Sequence, residues 1–99
     1  MSSPHIAEID RARRAAEIVD DPLYREAFEA VRAELMREWA ATAAHETERR
    51  ERVWQASDLL GRVQSHLTEI MTTGRLAKLQ LERETTRVQR VTAAVRKAW

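Results

Sequence analysis

Histidines lie beside carboxylates at two places in the chain, and these residues are the first candidates for chemistry. His45 precedes Glu46 and Glu48, and His66 stands three residues before Glu69. Metal sites in helical bundles need Glu-x-x-His motifs on several facing helices. The His66–Glu69 pair has the reverse order and occurs once. The pattern therefore predicts solvent-exposed or packing roles for these residues, and no metal.

Nucleophilic and phosphate-binding patterns are absent as well. No serine stands in a strand–turn–helix elbow, and Gly61 and Gly74 lie too far apart to form a phosphate-binding loop. The chain contains no cysteine, which excludes disulfides and thiolate metal sites. The sequence predicts a protein that is not an enzyme and uses no cofactor.

Basic side chains form the third candidate group. Residues 1–74 hold ten Lys/Arg and fourteen Asp/Glu, whereas residues 75–99 hold seven and two. A basic terminal segment on an acidic body is typical of proteins that bind a polyanion such as DNA. The alternative is a solvated helix face that happens to use arginine. The predicted DNA-binding residues are Arg75, Lys78, Arg83, Arg87, Arg90, Arg96 and Lys97.

These cations lie in a stretch of the chain that carries a seven-residue apolar repeat. Spacings of three and four alternate from Val53 to Ala98, and Gly74 and Glu84 are the exceptions. Such spacing places every member on one stripe of a helix, which is the seam of helix packing. The flanks of the seam carry few charges, and this favours a bundle within the subunit, an oligomer larger than two, or both. The predicted oligomerisation residues are Val53, Leu60, Val63, Leu67 and Ile70.

The composition predicts an all-α fold. The 99 residues carry a net charge of +1 and include only two glycines and two prolines, and such scarcity of helix breakers favours helices. We expect a helical hairpin or bundle with a long, heptad-patterned C-terminal helix, assembled into an oligomer. No apolar run approaches the roughly 18 residues of a membrane span, and the first residues lack the apolar core of a signal peptide. The expected location is cytoplasmic, with no membrane partner.

Helix boundaries divide the chain into three predicted parts. An N-terminal helix occupies 1–20, with Ser3 as a cap before Pro4, and Asp20-Asp21-Pro22 ends it. The oligomerisation core is a hairpin over 21–73 that turns after about residue 41 or 44. A basic helical segment follows over 74–99. At Gly74 we expect one helix of about fifty residues to continue, and a fourth helix that folds back is the alternative.

The apolar stripe of the second helix is predicted to anchor the core, because aromatic side chains are more often buried than functional. Its members recur at helical spacing and are Tyr24, Phe28, Val31, Leu35 and Trp39.

Several stretches of the chain resemble small helical proteins from the packaging and head genes of tailed bacteriophages and related gene transfer agents. The resemblance covers about residues 20–80, and some of the proteins that it concerns are small terminase subunits. Its motifs are packing and turn residues without a catalytic signature. They occupy residues 21–28, 39–42, 50–54, 63–67 and 73–77.

The small-terminase resemblance implies a ring-forming homo-oligomer without catalytic activity. Such subunits assemble through a central helical hairpin, bind DNA and pass it to the large terminase subunit inside a bacterial host cell. An N-terminal DNA-binding domain of the usual kind is missing here, so the expected DNA binding is weak or non-specific. The alternative function is a phage structural or adaptor protein that binds another protein and not DNA.

Overall fold

Three helices make up almost all of the chain between residues 4 and 98, which are the residues described by a computed structural model. They are α1 (Pro4–Asp20), α2 (Pro22–Ala41) and α3 (Thr47–Ala98). No strand occurs within this range, so the predicted all-α class is confirmed. Ser3, the predicted cap, lies outside the described residues, as does Trp99. No helix within residues 4–98 is apolar enough over a sufficient length to cross a membrane.

The break between α1 and α2 lies at Asp21, as the sequence predicts. The Asp21 carboxylate accepts hydrogen bonds from the backbone N–H groups of Leu23 (2.9 Å) and Tyr24 (3.0 Å). Pro22 occupies the first turn of α2, where its missing N–H costs no hydrogen bond. Arg25 bridges the break, since its Nε donates to the carbonyl oxygen of Val19 at 3.0 Å. The junction is therefore a capped bend between two helices.

The predicted hairpin turn lies between α2 and α3. At its start the Thr42 hydroxyl donates to the carbonyl oxygen of Trp39 at 2.7 Å. At its end the Glu46 carboxylate accepts two hydrogen bonds. One comes from the Ala43 N–H at 2.9 Å and the other from Arg49 Nη1 at 3.3 Å. These two donors hold the pKa of the Glu46 carboxyl below its ordinary value. Helix α3 then begins at Thr47.

Helix α3 continues through Gly74 for 52 residues, as favoured from the heptad register, and no fourth helix folds back within it. The reason for the glycine is the close approach of α1. A Cβ added at Gly74 would overlap the Cβ of Ala12 and would lie 2.9 Å from the Glu8 carbonyl oxygen. Gly74 therefore permits a helix crossing and does not end a helix.

Helices α1 and α2 follow one another along α3 and run antiparallel to it. Helix α1 covers its middle, where His5 Nε2 lies 3.4 Å from Glu84 Oε1 and Ala12 meets Gly74. Helix α2 covers its first part, where the Tyr24 hydroxyl donates to Gln64 Oε1 at 2.9 Å. The core is thin. Among the described residues, the buried members of the core are Ala15, Val53, Gly74 and Ala77, none of which has a large side chain.

The prediction that the aromatic stripe of α2 anchors the core is wrong. No residue of α2 is buried, and Val31 and Trp39 are among the exposed large side chains. The physical reason is the lack of a third layer, because α2 lies against α3 alone and nothing in the described chain closes over the pair. Its aromatic side chains are half-covered between two helices.

The molecule is a rod of 81 × 26 × 20 Å. Its radius of gyration is 22.5 Å, whereas a compact chain of this length has about 13 Å. Its accessible surface is 8281 Å², against about 5,800 Å² for a compact monomer of the same mass. A single copy therefore leaves about 2,500 Å² more surface in contact with water than a compact chain would.

Candidate nucleic-acid interface

The last part of α3 extends beyond the other two helices. Every residue of 82–98, here named the C-terminal segment, is exposed. The segment is about 25 Å long at 1.5 Å per residue. The first turn of α1 contacts α3 at Glu84, and the side chains that follow along α3 face solvent. Beyond Glu84, the segment is therefore accessible to solvent around the helix axis.

Four cations of the C-terminal segment lie on one face of the helix. At 100° per residue, Arg83, Arg87, Arg90 and Lys97 fall within an arc of about 80° and span about 21 Å along the axis. Within residues 4–98 none of the four takes part in an ion pair. We name these four residues the basic stripe. It is a row of uncompensated positive charge on a straight, exposed rod.

The other three predicted DNA-binding residues lie off this face. Arg75 is about 80° from Arg83 around the helix, and both Lys78 and Arg96 are about 140° from it. The helix thus brings together four of the seven predicted residues and leaves the other three outside the stripe. The spacing of the cations in the sequence already indicates this separation. Steps of four, three and seven residues from Arg83 lead to the other members of the basic stripe on the same helix face, whereas Arg96 does not fit this spacing.

The heptad seam continues along the C-terminal segment without a partner. Val88, Val91 and Val95 are 64 %, 58 % and 51 % exposed. They lie about a third of a turn around the helix from the basic stripe, and we name them the valine stripe. One helix therefore presents an apolar face and a cationic face side by side.

The five predicted oligomerisation residues differ in how far this chain covers them. Val53 is buried, whereas Leu60, Leu67 and Ile70 are half-buried and Val63 is exposed. Within one subunit, helices α1 and α2 therefore cover the first part of the seam. They cover Val53 more completely than Val63. A role for these residues in oligomerisation stays a prediction.

A second apolar surface, which the sequence analysis missed, follows the junction of α2 and α3. Arg50 stands at its turn end, with its guanidinium 4.3 Å from the centre of the Trp39 ring. Gly61 in the predicted helix interior was the available signal for this surface. We name it the hairpin groove, and it is lined by Phe28, Arg32, Leu35, Met36, Trp39 and Ala40 of α2 and by Val53, Trp54, Ser57, Leu60, Gly61 and Gln64 of α3.

Comparison with known proteins adds no assignment. No protein-family model, curated protein or solved structure matches this chain. Within residues 4–98, no three His, Asp or Glu side chains are grouped so that they could hold a metal ion. Within the described residues, the candidate surfaces are the basic stripe, the valine stripe and the hairpin groove.

Proposed function

We propose that this protein is a non-catalytic, homo-oligomeric DNA-packaging factor of the small-terminase type, which binds DNA without sequence preference and delivers it to a large terminase subunit. The observation that carries DNA binding is the basic stripe on the exposed end of α3. Arginine and lysine side chains that contact phosphates bind any sequence, because the phosphate backbone carries no sequence information. A row of about 21 Å matches about six base-pair steps of 3.4 Å.

The electrostatics of the whole chain support the same proposal. Residues 1–74 have an excess of four carboxylates, and residues 75–99 have an excess of five cations. Such an asymmetry orients the rod on a polyanion, because the C-terminal segment is attracted while the body is repelled. The acidic body would then point away from the DNA, where a protein partner can approach it.

Salt dependence tests the DNA proposal quantitatively. Each phosphate contact contributes about 0.9 to the slope of log K against log salt concentration. The double variant Arg87→Gln/Arg90→Gln removes two charges from the basic stripe, so we expect the slope to flatten by about 1.8. The matched control Lys78→Gln/Arg96→Gln removes two charges from the opposite arc of the same helix and should leave the slope unchanged.

The measurement is fluorescence anisotropy of a labelled DNA duplex at several salt concentrations, with light scattering to show that the variants assemble alike. Equal flattening in both double variants would mean that net charge, and not the basic stripe, governs binding. Unchanged slopes in both would place the DNA interface elsewhere.

The packaging role rests on the sequence resemblance and has its own test. Small and large terminase subunits are expected to be encoded in one genome and to act together, so the large subunit should co-purify with this chain when both are expressed. A genome of origin that encodes no large terminase subunit would contradict the packaging role and would leave DNA binding intact.

The hairpin groove favours a second candidate function, that of a structural or adaptor protein which captures a helix of another protein. Apolar grooves between two helices accept amphipathic helices. In that case the cations of α3 would pair with acidic residues of the partner. Absence of DNA binding even at low salt, in the assay above, would favour this function over the first.

A further inference from the structure

Gly61 is a glycine that the packing of its own chain does not require. Glycine weakens the interior of a helix relative to alanine, and α3 contains two. Gly74 permits the crossing of α1, where an added Cβ would overlap Ala12. At Gly61 nothing lies within 4 Å of such a Cβ. This second glycine leaves room for the backbone of a molecule outside the chain.

Gly61 lies in the hairpin groove, which has the dimensions of a helix-binding site. The groove extends over residues 28–40 of α2 and 53–64 of α3, about 17 Å along each helix. Most of its side chains are apolar, and large ones are open to solvent, since Met36 is 64 % and Trp54 is 56 % exposed. An amphipathic helix with an apolar stripe of similar length would cover it.

The C-terminal segment has such a stripe. Val88, Val91, Val95 and Ala98 keep the heptad spacing over about 15 Å. Glu51 lines the turn end together with Trp39 and Trp54 and forms no ion pair within residues 4–98. A cation of the segment has this carboxylate to approach there.

The segment cannot enter the groove of its own chain. Val91 follows Gly61 by 30 residues in one unbroken helix, which separates them by about 45 Å. A segment that occupies a hairpin groove therefore comes from a second copy. The uncovered surface suffices, because the excess of about 2,500 Å² exceeds the roughly 1,000 Å² that a specific interface needs.

We propose that the C-terminal segment of one copy docks through its valine stripe into the hairpin groove of the next copy. This inference rests on the homo-oligomer of the proposed function and names its interface. The contact is head-to-tail, so repetition closes a ring or extends a filament. The basic stripe lies about a third of a turn from the docked face and stays available to DNA.

Two variants block the two halves of this contact without touching the fold of the subunit. Gly61→Leu fills the groove with a good helix former, at a position with no neighbour within 4 Å. Val91→Asp places a charge on an exposed residue of the valine stripe. The matched controls are His66→Leu, an exposed position on another face of α3 and outside the groove, and Gln89→Asp, which adds the same charge to the segment off the valine stripe.

Light scattering over a range of concentrations, with circular dichroism for helicity, gives the answer. We expect the wild type and both controls to associate. Each blocking variant should be as helical as the wild type and should bind itself about thirtyfold more weakly or worse, as interface anchors do. An equimolar mixture of Gly61→Leu and Val91→Asp should form a dimer, because the intact segment of the first fits the intact groove of the second.

Four results would overturn the proposal. They are a monomeric wild type, normal association of either blocking variant, loss of association in the controls, and a mixture that stays monomeric. In an alternative arrangement, the C-terminal segments of two copies would pair with each other. Gly61→Leu would then still dimerise, which distinguishes that arrangement from docking into the hairpin groove. Loss of DNA binding with association intact would instead count against the proposed function alone.

Discussion

Gly74→Ala tests the helix crossing on which the whole arrangement of α1 depends. In an isolated helix, alanine is about 1 kcal/mol more favourable than glycine. Here the new Cβ would overlap the Cβ of Ala12 and lie 2.9 Å from the Glu8 carbonyl oxygen. Neither atom can rotate away, so α1 must move off α3 and uncover Ala15 and Ala77.

The size of the effect follows from these two opposing contributions. Overpacking costs about 1–3 kcal/mol, and the upper end applies because both obstructing atoms belong to the backbone or are bonded directly to it. After the gain in helix propensity, we expect a net loss of about 2 kcal/mol, or about 10 °C in Tm. The same substitution at Gly61 meets nothing and should stabilise the subunit by up to about 1 kcal/mol.

Thermal and urea denaturation followed by circular dichroism would measure both variants, at two protein concentrations to separate folding from association. Ala12→Gly in the Gly74→Ala background removes the overlapping atom and should recover part of the loss, whereas Ala12→Gly alone should destabilise. If Gly74→Ala is at least as stable as the wild type, α1 does not pack on α3 at this crossing.

Two further predictions concern the junctions between helices. Asp21→Ala removes the cap of α2 and should cost about 1 kcal/mol, with Asp21→Asn as the near-neutral control in urea denaturation; equal stability of all three proteins would show that the cap contributes nothing. The Ala43 N–H and the Arg49 guanidinium lower the pKa of Glu46, so the stabilisation from this carboxylate should be complete above its unfolded pKa and be lost as the pH falls through the lower folded pKa. An NMR titration should give Glu46 a pKa below the ordinary value of a glutamate carboxyl, and an ordinary pKa there would contradict the turn geometry.

The helices were predictable because their signals are local. Asp21 and Pro22 mark a boundary through capping and backbone restriction, which act within a few residues. The heptad register across Gly74 predicted a continuous α3, since a loop has no reason to preserve it. The cations of the C-terminal segment could also be named from the sequence alone. Their division into a basic stripe and an opposite arc requires their angular positions around the helix axis.

The burial of particular side chains was not predictable in the same way. Tyr24, Phe28 and Trp39 are residue types that are typical of a protein core, yet α2 has no buried residue. Burial depends on how many layers surround a helix, and a stripe of apolar residues looks alike whether it faces one helix or three. The hairpin groove was missed for that reason.

The sequence by itself determined the all-α class, the helix ends and the charge asymmetry, because each depends on neighbours along the chain. The tertiary structure alone decided what the two glycines of α3 mean. Both interrupt a helical pattern in the same way, but Gly74 lies under Ala12 whereas Gly61 faces open space in a groove. That difference arises from contacts between residues some sixty positions apart, which no local pattern records.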